Sequence, residues 1–281
     1  MTANSHTIAF IGGGNMASAL IGGLLRQGYA PAHIEVVEPY DSAREQLRST
    51  LGVTARASAS SALAHAGMVV WAVKPQVFKQ ACAQAVPHLA TDALHLSVAA
   101  GIRSASIAQW LGSERIVRAM PNTPALVGLG MTALYARPGV DAQDRARIEA
   151  VITSTGQYLW VEHEPQLDAV TAVSGSGPAY VFYFLEAMTR AGTDMGLSAQ
   201  QAHQLAVGTF VGASELAQRS SETPAQLRER VTSKGGTTYA ALSHLEQTQV
   251  AQHFMQALHA AQQRAQELGD EFGSNPSSNH P

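Results

Sequence analysis

Residues 168–188, DAVTAVSGSGPAYVFYFLEAM, separate a half of the chain that alternates strands and helices from a half that is helical throughout. Four small residues, 174–177, lie between two helical patterns, so another backbone or a ligand can approach closely there. Pro178 suits the first turn of a helix, where a backbone N–H is not needed. The run 180–185 is apolar or aromatic on every side, so packing against one neighbour cannot bury it. This helix is therefore either the central helix of a bundle or shared with a second subunit.

The composition is that of a folded globular protein. Of the 281 residues, 46% are hydrophobic and 14% are charged, which excludes a disordered chain. The net charge of −3 provides no positive field for nucleic acid, and no basic run indicates a membrane surface. The first apolar run lacks a preceding basic region and breaks at glycines, so neither a signal peptide nor a membrane span is expected. Cys82 is the sole cysteine, which excludes an intrachain disulfide and favours a cytoplasmic location.

A dinucleotide-binding fingerprint follows the first predicted strand, 7–11 (TIAFI). The sequence GGGNMA, residues 12–17, places G-x-G-x-x-A between that strand and a helical pattern, the context that the fingerprint requires. Gly12 would allow the tight turn, Gly14 would let a pyrophosphate approach the backbone, and Ala17 would let helix and strand pack closely. Free N–H groups at the helix N-terminus would bind the phosphates. The alternative is a glycine-rich turn without a ligand.

The next strand, predicted at 34–37, ends where the fingerprint expects an acidic residue. Glu38 stands there, and its carboxylate would accept hydrogen bonds from a ribose diol and repel a 2′-phosphate, which favours NAD over NADP. Arg44, one turn into the following helix, could still reach a 2′-phosphate. Alternatively, Glu38 is a solvated surface residue. The cofactor preference therefore stays open at this point.

Further strands predict an α/β Rossmann domain with a mostly parallel sheet over residues 1–163. Apolar runs indicate strands at 68–73, 94–99 and 116–119, and final strands at 130–136 and 157–162 bracket a helix that begins near Asp141. Ligands bind beyond the carboxyl ends of strands in open α/β sheets, so the loops 12–17, 74–76, 97–101 and 120–124 should share one rim. Lys74 on that rim either faces phosphate or substrate, or hydrogen-bonds neighbouring carbonyls.

From residue 164 onward the chain carries no strand pattern. An all-α domain over 164–268 is predicted from helical patterns at 165–173, 177–195, 198–219, 224–231, 237–246 and about 249–268. Thr223 and Gln226 form a capping box. The end, 269–281 (GDEFGSNPSSNHP), is rich in Gly, Ser, Asn and Pro and is expected to be a disordered tail. Eleven histidines have no ligand spacing, so no metal is predicted.

The second chemical stretch is 231–238, VTSKGGTT, between two predicted helices. Gly235 and Gly236 allow the backbone to turn, and Thr237 or Thr238 can cap the following helix. The exposed N–H groups, the hydroxyls and the helix N-terminus together make a small anion pocket that suits a substrate carboxylate. The alternative is an ordinary Gly–Gly helix stop followed by a threonine N-cap.

Six blocks resemble those of the pyrroline-5-carboxylate reductases in order and spacing: IAFIGGGNMA, AVKPQ, SVAAGI, MPNTPA, VTAVSGSGPAY and VTSKGGTT. The resemblance covers about residues 7–268, and its last two blocks are highly specific to that family. It implies a Rossmann domain joined to a helical domain that interlocks with its twin in a homodimer, with higher assembly such as a decamer. It also implies 1-pyrroline-5-carboxylate as substrate and NADP(H) as cofactor, with NAD(H) possible.

The resemblance assigns two sets of site residues. The cofactor set, to which the fingerprint adds Glu38, is Gly12, Gly14, Asn15, Met16, Ala17, Glu38, Val73, Lys74, Pro75, Ala99, Ala100 and Asn122. The substrate set, placed between subunits, is Ser233, Gly236 and Thr237 at the carboxylate and Thr238 near the ring nitrogen. Lys234 departs from the family pattern, which has proline there. A lysine leaves the loop less rigid and either attracts the carboxylate or points to solvent.

The implied reaction is hydride transfer from the nicotinamide to the C=N carbon, which gives L-proline in the last step of proline biosynthesis. Thr238 and Lys74 are the candidate catalytic residues. A threonine hydroxyl is too weak an acid to protonate the imine unaided, so Thr238 is expected to orient the nitrogen while the substrate enters as iminium or water relays the proton. Positioning of the two reactants would then supply most of the catalysis, an effect worth roughly 7–11 kcal/mol in favourable cases.

Two alternatives belong to other classes. A β-hydroxyacid dehydrogenase joins similar domains but places a catalytic lysine on the helix after its glycine-rich substrate motif, and residues 178–195 contain no lysine. A regulatory protein that binds pyridine nucleotides without catalysis has no need for a carboxylate pocket.

Overall fold

The computed structural model describes residues 6–273. Its N-terminal half is built on an eight-stranded sheet of order β3-β2-β1-β4-β5-β6-β7-β8. The strands are β1 (Thr7–Ile11), β2 (Ile34–Val37), β3 (Ala55–Arg56), β4 (Ala66–Trp71), β5 (Leu94–Ser97), β6 (Ile116–Met120), β7 (Gly130–Ala136) and β8 (Gly156–Trp160). Neighbours from β3 to β6 pair in parallel, β7 is antiparallel to β6, and β8 is parallel to β7. The predicted α/β class with a mostly parallel sheet is confirmed.

Helices cover both faces of this sheet, because successive side chains of each strand point to opposite faces. In β1, Ile8 and Phe10 belong to one core cluster, and Ala9 and Ile11 belong to the other. The first cluster includes side chains of α1 (Asn15–Arg26), α2 (Asp41–Leu51) and α5 (Ala142–Ile152). The second includes side chains of α3 (Pro75–Ala85) and α4 (Ser104–Leu111). The sheet is therefore buried on both sides, as apolar parallel strands require.

The predicted strands are present with shifts at their ends. The strand predicted at 68–73 is Ala66–Trp71, the one at 94–99 ends at Ser97, and the one at 157–162 is Gly156–Trp160. The strand β3 is absent from the sequence-based prediction because two residues carry no periodic pattern. The helix expected near Asp141 begins at Ala142, with the Asp141 carboxylate accepting the Asp144 N–H as an N-cap.

The shared rim is confirmed by the strand order. The strands β1, β4, β5 and β6 are adjacent and parallel, so the loops that follow them leave from one edge of the sheet. After β6 the chain does not cross over. A short 3₁₀ helix, Thr123–Val127, leads directly into the antiparallel β7.

The remaining described chain is helical. The helices are α6 (Gln166–Val170), α7 (Gly177–Asp194), α8 (Ala199–Arg219), α9 (Pro224–Arg230), α10 (Thr237–Gln247) and α11 (Val250–Gly273), with a π-helical turn, Thr171–Gly175, between α6 and α7. The predicted capping box of Thr223 and Gln226 is present. A second one, Ser198 with Gln201, was missed although its S-x-x-Q spacing is visible in the sequence. The described residues form two compact units, 6–176 with 261–273, and Gly177–Ala260.

The helix α7 is not buried within its own chain. Tyr180 and Phe184 make ring contacts with Phe254 of α11 at 5.6 and 5.8 Å between centroids. Phe182 and Tyr183, however, remain 59% and 69% exposed. Of the two arrangements that the sequence allowed, a helix shared with a second subunit fits this exposure, because a central bundle helix would hide these side chains.

The predicted disordered tail requires a correction over residues 269–273. The helix α11 continues to Gly273. Its last turns are held by packing: Phe272 lies against the second core cluster, and the Arg264 guanidinium pairs with Glu267 and Glu271 at 3.0 and 2.8 Å. The prediction from composition was wrong here because it took glycine as a sign of disorder, whereas Gly269 is buried within α11. Residues 274–281 of the predicted tail lie outside the described part of the chain.

Across residues 6–273, every helix is too short or too polar to cross a lipid bilayer.

Candidate functional site

The glycine-rich loop between β1 and α1 has the backbone geometry that the fingerprint demands. Gly12 has a φ of +98°, and a Cβ there would lie 2.6 Å from the Ala72 carbonyl oxygen. A side chain is therefore excluded at Gly12 by both conformation and space. Ala17 is fully buried, where a larger residue would separate α1 from the sheet. Gly14, by contrast, faces open space, with no atom within 4 Å of a Cβ placed on it.

The N-terminus of α1 is free to bind an anion. Its N-cap is Gly14, no side chain caps the helix, and the first turn carries no acidic residue. Gly14 and Asn15 are exposed and Met16 is half-buried against the first core cluster. The unpaired N–H groups and the positive end of the helix dipole thus face an open cradle. The residues present fit the pyrophosphate of a dinucleotide.

Glu38 is buried and committed to the protein itself. One carboxylate oxygen accepts the Gly13 N–H at 2.7 Å, the other accepts the Tyr40 N–H at 2.9 Å, and the residue is 6% exposed. The alternative of a solvated surface Glu is therefore wrong. Each oxygen keeps a second lone pair, so a hydroxyl donor can still approach. Gly13 also has a packing role, because a Cβ there would lie 2.7 Å from the Leu47 side chain.

Arg44 is turned toward the loop that follows β2. Its guanidinium donates to the carbonyl oxygens of Glu38 and Pro39 at 2.9 and 2.8 Å and pairs with the Asp41 carboxylate. The guanidinium that the sequence offered as a partner for a 2′-phosphate is therefore already bonded to this loop.

The segment after β4 lies beside the glycine loop. The Val73 side chain would be 3.0 Å from a Cβ on Gly12, so these two predicted site residues are in contact. Lys74 is the exposed N-cap of α3 and Pro75 occupies the first turn. Pro75 lacks an N–H and its φ is preset for a helix. The Lys74 side chain therefore extends from a rigid backbone position at the N-terminus of α3.

The next loop on the rim, 98–103, carries Ala99 and Ala100. Ala99 is buried, and its N–H points to the Ser97 hydroxyl at 3.4 Å. Ala100 is exposed. The following Gly101 has a φ of +72°, which a residue with a Cβ adopts only with strain. This loop is thus a defined turn, with Ala100 presented outward.

Asn122 joins three segments of the first unit. Its side-chain amide donates to the Ser174 carbonyl oxygen at 3.2 Å, and its carbonyl oxygen accepts the Met131 N–H at 2.9 Å. Nearby, a Cβ on Gly175 would lie 2.5 Å from the terminal methyl of Met120. The small residues 174–177 predicted the approach of a backbone or a ligand, but the close neighbour of Gly175 is the Met120 side chain, a partner that sequence spacing could not identify.

The loop of the second chemical stretch lies in the second unit and forms a tight turn. The Gly236 N–H donates to the Ser233 carbonyl oxygen at 3.0 Å, and Gly235 has a φ of +74°. Thr237 and Thr238 are the first two residues of α10, which has no side-chain cap and no acidic residue in its first turn. The Gly236 N–H is thus used within the turn, while the N–H groups of Thr237 and Thr238 are available to an anion.

Glu164 connects the start of the helical segment to the sheet, a role that no sequence pattern indicates. Its carboxylate accepts the Ser104 N–H at 2.5 Å, the Ser104 hydroxyl at 2.6 Å and an Arg118 N–H at 2.6 Å. Burial raises the pKa of this carboxyl, but Arg118 and Ser104 outweigh that effect and leave the pKa below its ordinary value. The ion pair of Arg118 and Glu164 is largely buried, so the cost of removing both charges from water offsets much of their attraction. We therefore interpret it as a contact that fixes the position of this segment rather than as a large contribution to stability.

Other features of the described residues lie outside the predicted site. A cavity of about 580 Å³ is lined by Leu197, Gln201, Gln204, Leu205, Gly208 and Thr209, none of which the motifs indicate. Residues 6–273 contain no cluster of three or more His, Cys, Asp or Glu side chains suited to a metal ion.

Two protein-family models match separate parts of the chain. Residues 164–268 match the family described as pyrroline-5-carboxylate reductase dimerisation. Residues 7–101 match the family described as NADP oxidoreductase, coenzyme F420-dependent.

Individual relatives extend over nearly the whole chain. The pyrroline-5-carboxylate reductase of Pseudomonas aeruginosa is 44% identical over 267 residues, which is 95% of this chain and 98% of the relative. Among solved structures, the Coxiella burnetii pyrroline-5-carboxylate reductase has a TM-score of 0.87 and 38% identity over 94% of this chain and 99% of its own. The Plasmodium falciparum pyrroline carboxylate reductase, solved with NADP bound, has a TM-score of 0.84 and 29% identity over 94% and 98%.

Proposed function

The chain belongs to the pyrroline-5-carboxylate reductase family, and from that membership we propose how its own residues carry out the reaction. The enzyme is an oxidoreductase that reduces 1-pyrroline-5-carboxylate to L-proline with NAD(P)H, the last step of proline biosynthesis. The observation that carries the assignment is the 44% identity over 95% of the chain. It leaves the two alternatives, a β-hydroxyacid dehydrogenase and a non-enzymatic regulator, without a supporting observation of their own.

The residues on the sheet rim hold the cofactor, which supplies a hydride when bound. Gly12 and Gly14 shape the loop, and the N–H groups at Asn15, Met16 and Ala17 receive the pyrophosphate. Glu38 would accept hydrogen bonds from the adenosine ribose. The nicotinamide end would be lined by the remaining members of the set, Val73, Lys74, Pro75, Ala99, Ala100 and Asn122. Support comes from the open cradle at Gly14 and from the position of all these residues beyond adjacent parallel strands.

The turn at 233–238 holds the substrate carboxylate. Ser233 donates its hydroxyl, and Thr237 and Thr238 donate the N–H groups that α10 leaves unpaired. Gly236 contributes by making the turn, since its own N–H is bonded to Ser233. A helix N-terminus without an acidic residue favours a carboxylate by charge as well as by hydrogen bonding.

Thr238 and Lys74 have catalytic roles in this scheme. The Thr238 hydroxyl would orient the ring nitrogen of the substrate. The proton on nitrogen arrives with the substrate as iminium or through water, because a threonine hydroxyl cannot supply it alone. Lys74 projects from the rim as a cation, which compensates negative charge of the phosphates or of the substrate. Holding both reactants in one geometry is the main source of rate.

The enzyme is a homo-oligomer, since residues 164–268 match the dimerisation family. We propose that this region also supplies the substrate site between subunits, and that residues 1–163 act as the cofactor domain. The apolar side chains exposed on α7 and α8, including Phe182, Tyr183, Leu205 and Val211, are the surface that a second copy would bury. Assembly of dimers into a decamer is the further proposal. Light scattering would distinguish these states as multiples of the 29.6 kDa chain.

A cytoplasmic location is proposed because Cys82, the sole cysteine, is a buried free thiol, as is usual where disulfides are rare. Burial raises the pKa of that thiol to about 12, so it is unreactive and demands no oxidising compartment.

The decisive experiment follows the loss of reduced nicotinamide absorbance with purified protein and 1-pyrroline-5-carboxylate, with NADPH and NADH in separate tubes. Oxidation in either tube that depends on the substrate supports the reductase function. Absence of oxidation in both tubes, with the protein folded, would overturn it. The ratio of the two rates measures the cofactor preference.

A further inference from the structure

The loop 98–103, which carries the nicotinamide-side residues Ala99 and Ala100, is covered by a distant segment of the chain. A Cβ on Gly101 would lie 3.3 Å from the Leu268 Cβ and 3.4 Å from the Phe272 ring. Both contact residues lie in the last turns of α11. The end of that helix therefore rests directly on the turn at Gly101.

The contact continues into the core beneath the loop. Phe272 packs against the cluster that contains Ala99 and Ile102, both buried. A Cβ on Gly273 would lie 3.4 Å from the Ser106 hydroxyl, at the start of α4. The helix end thus touches the loop and the helix that follows it.

The far end of the loop is clamped as well. A Cβ on Gly269 would lie 2.8 Å from the Arg103 guanidinium, so the arginine crosses the helix where a side chain is missing. The same guanidinium donates to the buried Asp168 carboxylate at 2.9 Å. Arg103 is thereby held between α11 and α6.

We propose that the last turns of α11, residues 268–272, are a positioning element for the loop 98–103 and thereby set the affinity for NAD(P)H. The inference rests on the proposed function, in which this loop lines the nicotinamide. Its conformation needs a left-handed Gly101 and the burial of Ala99, and Leu268 and Phe272 close the space on the other side. Without them the loop gains conformations that must be given up on binding, which weakens the affinity.

The test compares Phe272→Ala and Leu268→Ala with the wild-type oligomer. The dissociation constants of NADH and NADPH are measured without substrate, by energy transfer from protein fluorescence to the nicotinamide. We expect both constants to rise roughly 5- to 10-fold in each variant, as when about a tenth to a fifth of the protein remains competent to bind. In steady state the cofactor KM should rise while the substrate KM stays unchanged, a split that general destabilisation does not produce. Phe272→Leu, which refills the space, should recover most of the affinity.

A matched control is Gln266→Ala, on the exposed side of the same helix, which should bind the cofactor like wild type. Unchanged dissociation constants in folded Phe272→Ala and Leu268→Ala would overturn the proposal. If Phe272→Ala does not fold, Leu268→Ala decides the matter by the same measurement. Because binding is measured without turnover, a wild-type protein that binds NAD(P)H but reduces no pyrroline-5-carboxylate would refute the proposed function and leave this inference standing.

Discussion

The Glu38 carboxylate accepts the Gly13 backbone N–H at 2.7 Å, which joins the end of β2 to the glycine-rich loop. The same carboxylate accepts the Tyr40 N–H at 2.9 Å. An acidic residue at this position is usually assigned to the ribose of the cofactor. Here the carboxylate accepts a hydrogen bond from the backbone of the glycine-rich loop, so loss of its charge and loss of its hydrogen bonds can be tested separately.

Glu38→Gln removes the charge and keeps a carbonyl acceptor for one of the two N–H groups. We expect the ratio of kcat/KM for NADPH to that for NADH to rise about 10-fold, equivalent to about 1.4 kcal/mol, because repulsion of a 2′-phosphate is lost. Glu38→Ala should weaken both cofactors, since the loop loses both bonds. Glu45→Gln, an exposed change on α2, should leave the ratio unaltered. An unchanged ratio in Glu38→Gln would mean that Glu38 takes no part in the choice of cofactor.

Gly12→Ala should lower the stability of the protein, whereas Gly14→Ala should lower its affinity for the cofactor. At Gly12 the left-handed φ and the overlap with the Ala72 carbonyl oxygen should cost about 3 kcal/mol and lower Tm by roughly 6–12 °C. At Gly14 a Cβ meets open space, so Tm should be retained while the KM for NAD(P)H rises. Thermal denaturation and cofactor titration of both variants check this. Equal cofactor affinity in Gly14→Ala and wild type would contradict pyrophosphate binding at this position.

Thr238→Ala should lower kcat roughly 10- to 100-fold, about 1.4–2.7 kcal/mol in the barrier. The variant loses the hydroxyl that we propose orients the ring nitrogen and keeps the backbone N–H that we propose binds the carboxylate, so the substrate KM should change little. Thr238→Ser, which retains the hydroxyl, is the control and should keep most of the activity. Unchanged turnover in Thr238→Ala would remove this side chain from the mechanism.

Lys234→Gln tests the charged residue of the proposed substrate turn. Lys234 is exposed on the turn, and its charge should attract the substrate carboxylate over a distance that salt screens. We expect the substrate KM to rise roughly 2- to 5-fold at low ionic strength, a difference below about 1 kcal/mol, and to match wild type in high salt. Lys79→Gln on α3 removes the same charge elsewhere in the chain. A KM difference that persists in high salt would argue against an electrostatic role.

His95 should make stability depend on pH below neutrality. Burial, with a smaller effect from Arg115, lowers the pKa of His95 to about 4, and its Nδ1 accepts the Trp71 indole N–H at 3.3 Å. The unfolded chain protonates this histidine at higher pH than the folded one, so stability is intact above about pH 6.5 and falls as pH drops toward 4. The loss approaches about 3 kcal/mol.

The measurement is denaturant unfolding between pH 7 and 4. His95→Gln, which keeps an acceptor for Trp71, should flatten the decline, whereas the exposed His65→Gln should follow wild type. The same slope in His95→Gln and wild type would show that other groups cause the acid sensitivity.

Local sequence patterns were sufficient to predict the fold and to identify the motifs. Buried strands, amphipathic helices and the turn chemistry of glycine and proline act over neighbouring residues, so the alternation of strands and helices up to Trp160 and the helical segment after it are visible in the sequence. The two-residue β3 is too short to carry such a pattern. The composition of the last segment pointed to disorder, but in residues 269–273 the glycines serve close packing within α11.

Only the tertiary structure decided which side chain meets which. The bond between Glu38 and Gly13, the contact of Met120 with Gly175, and the packing of Phe272 beside Gly101 join residues that are far apart along the chain. Such contacts depend on how complete elements pack, and periodicity within one element carries no information about its partner. The sequence by itself determined the fold, the family and the residues that are proposed for the site. Only the packing of the folded chain placed the Glu38 carboxylate against Gly13 and the end of α11 against the turn at Gly101.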